Sequence, residues 1–190
     1  MKLGLFGGSF DPVHIGHLLV AQAAIEELSL DRLYFIPAAQ SPFKTESSHA
    51  PATFRLQLLR LALAGKTRCE VDDQEIKRGG VSYTITTLRD YSTHFQQAEL
   101  FYLIGADNVV NLPKWRDAGE LARLAEFVAI PRPGDGQTAF PQPFRGRMLK
   151  GFPIAVSSSQ IRERVRAGLP IEHLVPSAVA EAVRNNRLYL

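Results

Sequence analysis

Short apolar runs alternate with stretches of helical spacing along nearly the whole chain, and this alternation restricts the fold more than any other feature. KLGLF (2–6), bounded by glycine, reads as a buried strand, and GHLLVAQAAIEELSL (16–30) repeats apolar residues at helical spacing. RLYFIPA (32–38) reads as a second strand stopped by Pro37, and FRLQLLRLALAG (54–65) as a helix closing on Gly65. CEV (69–71) is a candidate strand. SYTITTLRDYSTHF (82–95) is rich in β-branched residues, but Ser82 suits an N-cap and the segment is assigned to helix. ELFYLIG (99–105) and EFVAI (126–130) read as strands flanking the helix AGELARLA (118–125). Residues 131–152 are rich in Pro, Gly and Gln and read as an irregular loop. PIAV (153–156) is expected as a last strand, SSSQIRERVRAG opens a helix, and PSAVAEAVRNNRLYL (176–190) is a terminal helix. Such alternation implies an α/β fold, a doubly wound parallel sheet with helices on both faces and a small helical C-terminal extension.

With 190 residues, 45% of them hydrophobic and 22% charged, the chain suits one globular domain spanning 1–190. The net charge of +3 is small and the basic residues gather late, in RGRMLK (145–150) and IRERVRAG (161–168). That is too sparse for a nucleic-acid stripe and suits one anionic small molecule. Cys69 is the only cysteine, which excludes an intrachain disulfide and disfavours a Cys-based zinc site. No leader pattern or membrane-length apolar run is visible, so a cytoplasmic protein without a membrane partner is expected. The sequence leaves the choice between monomer and homo-oligomer open.

In open parallel sheets ligands bind beyond the carboxyl ends of the strands, near the point where strand order reverses. Four motifs should lie there: GGSFDPVHIGH after the first strand, GADNVVNLPKW after 99–105, IPRPG after 126–130, and SSSQIR. Gly7-Gly8-Ser9 could be a plain tight turn, but glycines before a helix N-terminus also let backbone approach an anion. Neither GxGxxG nor a P-loop Gly-Lys-Ser/Thr is present, and the second strand ends in Pro37 rather than an acid, so hydride transfer is disfavoured.

His14 and His17 lack the third ligand a zinc site needs, and either could be structural. Their place where a glycine turn enters a helix, with Gly16 between them leaving space, favours hydrogen bonding to phosphate oxygens. Ser157, Ser158 and Ser159 could simply cap a helix; with Arg162 a turn later they also make a polyphosphate grip. From spacing alone Asp107 reads as a helix cap and Trp115 as core, although a carboxylate suits a ribose and an indole a flat heterocycle. Lys44 and Arg132 read as solvated charges that reach phosphate only if their loops fold over the site.

Taken together, GGSFDPVHIGH, SYTITTL (82–88), IGADNVVNLPKW, RPG (132–134) and SSSQIRERVRAG make the chain resemble the bacterial nicotinate-nucleotide adenylyltransferases, within the nucleotidyltransferase superfamily marked by (T/H)xGH. The matches span nearly the whole chain. The resemblance implies an enzyme of NAD biosynthesis with ATP and nicotinate mononucleotide as substrates, nicotinate adenine dinucleotide and pyrophosphate as products, and Mg²⁺ riding on the ATP phosphates. It further implies that His14 and His17 contact those phosphates, with His17 weightier in the transition state, while Gly8, Ser9 and Phe10 line the turn. By the same resemblance Ser157, Ser158 and Arg162 hold the triphosphate from the opposite side, and Gly105 and Asp107 meet the adenosine. Thr84 and Trp115 would frame the nicotinate ring, and Lys44 and Arg132 would add charge. The chain departs from the family pattern at Phe43, where a His is frequent, and at Ser159, where Thr is common. The alternatives are another nucleotidyltransferase, acting on phosphopantetheine or CTP, and a nucleotide-binding module without turnover. The GADNVVNLPKW and SYTITTL segments oppose the first; His14, His17 and Arg162 oppose the second.

Overall fold

A computed structural model of the chain describes residues 1–40, 50–131, 139–152 and 154–190. Six parallel strands, β1 (Lys2–Gly8), β2 (Arg32–Pro37), β3 (Cys69–Val71), β4 (Glu99–Gly105), β5 (Glu126–Ile130) and β6 (Gly146–Met148), form one sheet in the order β3-β2-β1-β4-β5-β6. The helices are α1 (Ile15–Glu27), α2 (Ala52–Leu63), α3 (Gln74–Arg78), α4 (Thr84–His94), α5 (Ala118–Leu124), α6 (Ser158–Arg166) and α7 (Ser177–Asn185), with a 3₁₀ helix over Ala106–Lys114. This is the Rossmann-like doubly wound arrangement, and its order reverses between β1 and β4.

Period-two alternation sends neighbouring strand residues to opposite faces. On β4, Phe101 and Leu103 join the core beneath α1, α2, α6 and α7, while Leu100, Tyr102 and Ile104 join the core beneath α4, α5 and the 3₁₀ helix. The central strands are therefore apolar on both sides, as a sheet covered on both faces requires. The C-terminal helices dock on the start of α1: the Ile15 N–H donates to the Leu174 carbonyl at 2.9 Å, and the Ser158 hydroxyl to the Pro12 carbonyl at 2.9 Å.

Three expectations need correction. The last strand is not at 153–156: residues 154–156 carry no strand, and β6 lies within the stretch expected to be loop. β6 is short, polar and at the sheet edge, with the Arg147 guanidinium paired to Glu126, so it lacks the apolar signature of a central strand. Helix α4 starts at Thr84 without a cap from Ser82, whose hydroxyl instead accepts the Ala39 N–H at 3.0 Å and pins the end of β2. The terminal helix ends at Asn185, short of the expected span.

Candidate active site

β1 ends in the glycine turn and β4 ends at Gly105, so GGSFDPVHIGH and GADNVVNLPKW flank the switch point from its two sides. Asp107 folds back over the backbone so closely that a Cβ at Gly105 would collide with its carboxylate. A side chain there would displace the Asp107 carboxylate from its present place.

His14 is the N-cap of α1 and His17 sits in its first turn. The His14 backbone N–H donates to His17 Nδ1 at 3.2 Å, which leaves the His17 proton on Nε2 and orients the ring. The two rings pack at 3.7 Å between centroids, and a Cβ at Gly16 would approach His14 Nδ1 to 3.0 Å. Gly16 thus leaves room for the His14 ring.

His14 is 6% exposed, its Nδ1 is buried without a hydrogen-bond partner among the described residues, and burial lowers its pKa to about 4. At neutral pH it is an uncharged imidazole, a dipolar group rather than a cation. Between its ordinary 6.5 and about 4, the unfolded chain binds a proton that the folded chain rejects. Stability from this group is complete above pH 6.5 and is lost as pH falls toward about 4, a loss of about 3 kcal/mol at 1.36 kcal/mol per pH unit. Denaturant midpoints of the wild type and His14→Gln measured across that window should converge toward low pH. Parallel curves would show that the imidazole does not titrate in this way.

The opposite bank is α6. Ser157 caps it in a reciprocal box: its hydroxyl accepts the Gln160 N–H at 3.2 Å, and its own N–H donates to Gln160 Oε1 at 2.9 Å. Ser157 thus caps the helix, the plainer of its two readings. Arg162 reaches back to the glycine turn, donating through Nη1 to the Asp11 carbonyl at 2.7 Å and through Nη2 to Ser159 Oγ at 3.2 Å. This latch ties the start of α6 to the segment between β1 and α1 that carries the histidine pair.

A cavity of about 410 Å³ is lined by Tyr83, Thr84, Lys114, Trp115 and Arg116, together with Ile85 and Leu121. The Arg116 guanidinium lies over the Tyr83 ring at 4.8 Å, a cation–π contact. No side chain caps α4, so its first N–H groups and their positive partial charge stand at the cavity. Two cations and a helix N-terminus, with no lining carboxylate among the described residues, favour an anionic guest. Trp115 follows the 3₁₀ helix, half-buried, with its indole edge-on to Phe127 at 6.3 Å; it serves the core and the cavity wall together. Thr84 Oγ1 lies 3.3 Å from the Tyr102 hydroxyl, and that hydroxyl occupies the space a side chain at Gly7 would fill. The cavity and the glycine turn are neighbours through Tyr102.

Gly7 and Gly8 are the last two residues of β1, paired with Ile36 and Pro37, so the strand runs through the glycines expected to form a turn, and the bend begins at Ser9. The Phe10 ring is 2% exposed and packed in the core, so Phe10 offers the site only backbone. Lys44, Phe43 and Arg132 lie outside the described residues. Two structural contributors escaped the sequence reading. Arg55 is 4% exposed and donates to the carbonyls of Ser9 at 2.7 Å, Ala50 at 3.2 Å, Ala38 at 2.8 Å and Ala39 at 3.3 Å. Asp11, 1% exposed, is the carboxylate around which the turn closes. Arg55 could have been found: with Leu58, Leu59, Ala62 and Leu63 it falls on the buried stripe of α2, an odd place for a cation.

A glycine turn and a serine-rich helix start converging at the switch point of this sheet define a nucleotidyltransferase, and a family model described as cytidylyltransferase-like matches residues 5–164. The chain is 40% identical over 192 residues to a protein of Opitutus terrae named "Probable nicotinate-nucleotide adenylyltransferase", covering 100% of this chain and 98% of that one. A protein of Methylacidiphilum infernorum with the same name is 37% identical, over 100% of this chain and 92% of its own. In fold the chain resembles the Plasmodium falciparum nicotinic acid mononucleotide adenylyltransferase complexed with NaAD, at TM-score 0.80 and 16% identity, covering 99% and 97% of the two chains. The chain belongs to the nicotinate-nucleotide adenylyltransferase family.

Proposed function

We propose that this chain, acting as one domain in the cytoplasm, transfers the adenylyl group of ATP to nicotinate mononucleotide. Nicotinate adenine dinucleotide and pyrophosphate are the products, and the step belongs to NAD biosynthesis. The observation that carries this reading is the junction at Tyr102. Its hydroxyl stands over Gly7 near the end of β1 and 3.3 Å from Thr84 Oγ1 in the aromatic, cationic cavity. A triphosphate over the turn and a pyridine carboxylate in the cavity would meet at their phosphates.

The chemistry suits these residues. A 5′-phosphate oxygen of the mononucleotide, already ionised, attacks the α-phosphorus. The new P–O bond forms as the α–β bridge breaks, and pyrophosphate leaves with the electron pair. No proton has to be removed, so positioning and charge stabilisation supply the rate. His17 Nε2–H, the N-termini of α1 and α6, Ser158 and Arg162 are the groups proposed to hold the phosphates, with Asp107 and Gly105 toward the adenosine. Mg²⁺ is brought by ATP as part of the substrate; among the described residues no group of three His, Cys, Asp or Glu side chains could hold an ion. No helix among the described residues is long and apolar enough to cross a membrane.

The test is pyrophosphate release from ATP with nicotinate mononucleotide, nicotinamide mononucleotide or phosphopantetheine. The acid should have the highest kcat/KM, because Lys114, Arg116 and the α4 N–H groups are all donors, whereas an amide presents donors of its own. Equal kcat/KM for acid and amide would overturn the specificity, and no release with any acceptor would overturn the reaction. Trp115→Ala should raise KM for the pyridine mononucleotide by roughly 10-fold, since stacking is worth about 1–3 kcal/mol and about 1.4 kcal/mol is tenfold. KM for ATP should move much less. A lower melting temperature with both KM values unchanged would assign the indole to Phe127 and the core alone.

A further inference from the structure

Asp11 is a fully buried carboxylate at the hinge of the glycine turn, and its partners come from distant parts of the chain. Oδ1 accepts the Ala50 N–H at 3.1 Å and the Tyr189 hydroxyl at 2.8 Å, and Oδ2 lies 3.7 Å from Arg162 Nη1. Tyr189 is held in an uncommon shape to make its bond. Its φ is +70°, in the left-handed region that a non-glycine residue seldom occupies, and Arg187 two residues earlier has φ +49°. Beyond α7 the chain folds back, with the Arg187 N–H donating to the Arg184 carbonyl at 3.1 Å and the Leu188 N–H to the Val183 carbonyl at 3.0 Å. The Tyr189 ring packs on the core and its hydroxyl ends on Asp11. Burial and the Asp11 charge raise the phenol's pKa, so it remains a donor.

We propose that Tyr189 is a positioning residue that, through Asp11, sets the guanidinium of Arg162 toward the reacting phosphates. The inference rests on the adenylyl-transfer reading above. With Tyr189 and the Ala50 N–H filling Oδ1, the carboxylate is fixed in plane and presents Oδ2 to Arg162 at a distance too long for a closed ion pair. The guanidinium commits two donors, to the Asp11 carbonyl and Ser159, and its remaining N–H groups serve a phosphate. Removing the phenol takes away the Tyr189 hydrogen bond and leaves the Ala50 bond on Oδ1. The carboxylate then turns and draws Arg162 inward.

Tyr189→Phe keeps the ring and removes only the hydroxyl. Its kcat should fall about tenfold, a typical scale for a displaced contact, with KM for ATP moving less. The decisive measurement is a double-mutant cycle with Arg162→Ala. If Tyr189 acts through Arg162, adding Tyr189→Phe to Arg162→Ala should change kcat less than about twofold. A tenfold loss in both backgrounds, or none in the wild-type background, would sink the proposal. Should Tyr189→Phe melt below the assay temperature, Asp11→Asn is read through the same cycle, with additivity again the refuting result. A wild-type chain that turns over while the cycle is additive refutes this inference alone. A wild-type chain that releases no pyrophosphate refutes the adenylyl-transfer reading and this inference with it.

Discussion

Replacing His17 by alanine is expected to lower kcat by roughly 10²- to 10³-fold, the usual scale for losing one preorganised donor to a developing charge. The ring is oriented before any ligand arrives. Nδ1 accepts the His14 N–H at 3.2 Å, the Phe10 ring packs at 5.0 Å between centroids, and the His14 ring packs at 3.7 Å. Such a donor needs little reorganisation when charge shifts from the α-phosphorus to the departing pyrophosphate. The same substitution removes a cap from α1 and should cost about 1 kcal/mol of stability, a small loss that does not explain the kinetic one. ATP affinity should change less than kcat, because the turn backbone and α6 still hold the ground state. A variant with near-normal kcat would reduce His17 to its capping role. His17→Asn is the useful companion, since an amide can both accept the His14 N–H and donate.

Arg55→Met should destabilise the fold by about 3–5 kcal/mol, close to the loss expected when a buried charged residue is removed and its partners are stranded. Methionine fills much of the volume, so the effect isolates polar satisfaction. Four carbonyl oxygens, of Ser9, Ala38, Ala39 and Ala50, lose their donor, and each buried acceptor left alone costs about 1–3 kcal/mol before relaxation. Burial lowers the Arg55 pKa, yet the guanidinium stays charged, and Asp11 offsets part of the penalty. Urea denaturation would measure the change. A difference within about 0.5 kcal/mol, the range of inert surface substitutions, would mean that water takes over the carbonyls.

The fold was legible where burial is two-sided. β1, β2, β4 and β5 announce themselves as apolar runs because helices cover both of their faces. β6 has one edge in solvent and spells Gly146-Arg147-Met148, while PIAV looks like a strand although Ile154 is 38% exposed. Hydrophobicity reports burial, and at a sheet edge strand and burial part company. The five-residue α3 is too short to leave a period, and the 3₁₀ helix over Ala106–Lys114 buries Ala106, Val109 and Leu112 three apart, a 3₁₀ rather than an α-helical spacing. In the site, the motifs located the glycine turn, the histidine pair and the serine-rich helix start. What they could not give was the long-range bonding. The Arg162–Asp11 bond spans 151 positions and the Tyr189–Asp11 bond 178, and no local pattern encodes such partners. Asp11 lay inside the first motif, but only the fold shows that its carboxylate faces inward.

The docking of α6 and the segments after it onto the start of α1 also has a temporal meaning. A ribosome releases the glycines and the histidine pair long before Ser158, Arg162 and Leu174, which bond to the segment around the start of α1. The central pairing of β1 with β4 likewise waits, since Lys2 lies opposite Glu99. Pairings this distant close slowly compared with helical contacts. A nascent chain therefore displays the first bank of the proposed phosphate grip without the second. On that reading, competence to bind nucleotide is a late event of synthesis, reached when α6 and α7 settle against the start of α1.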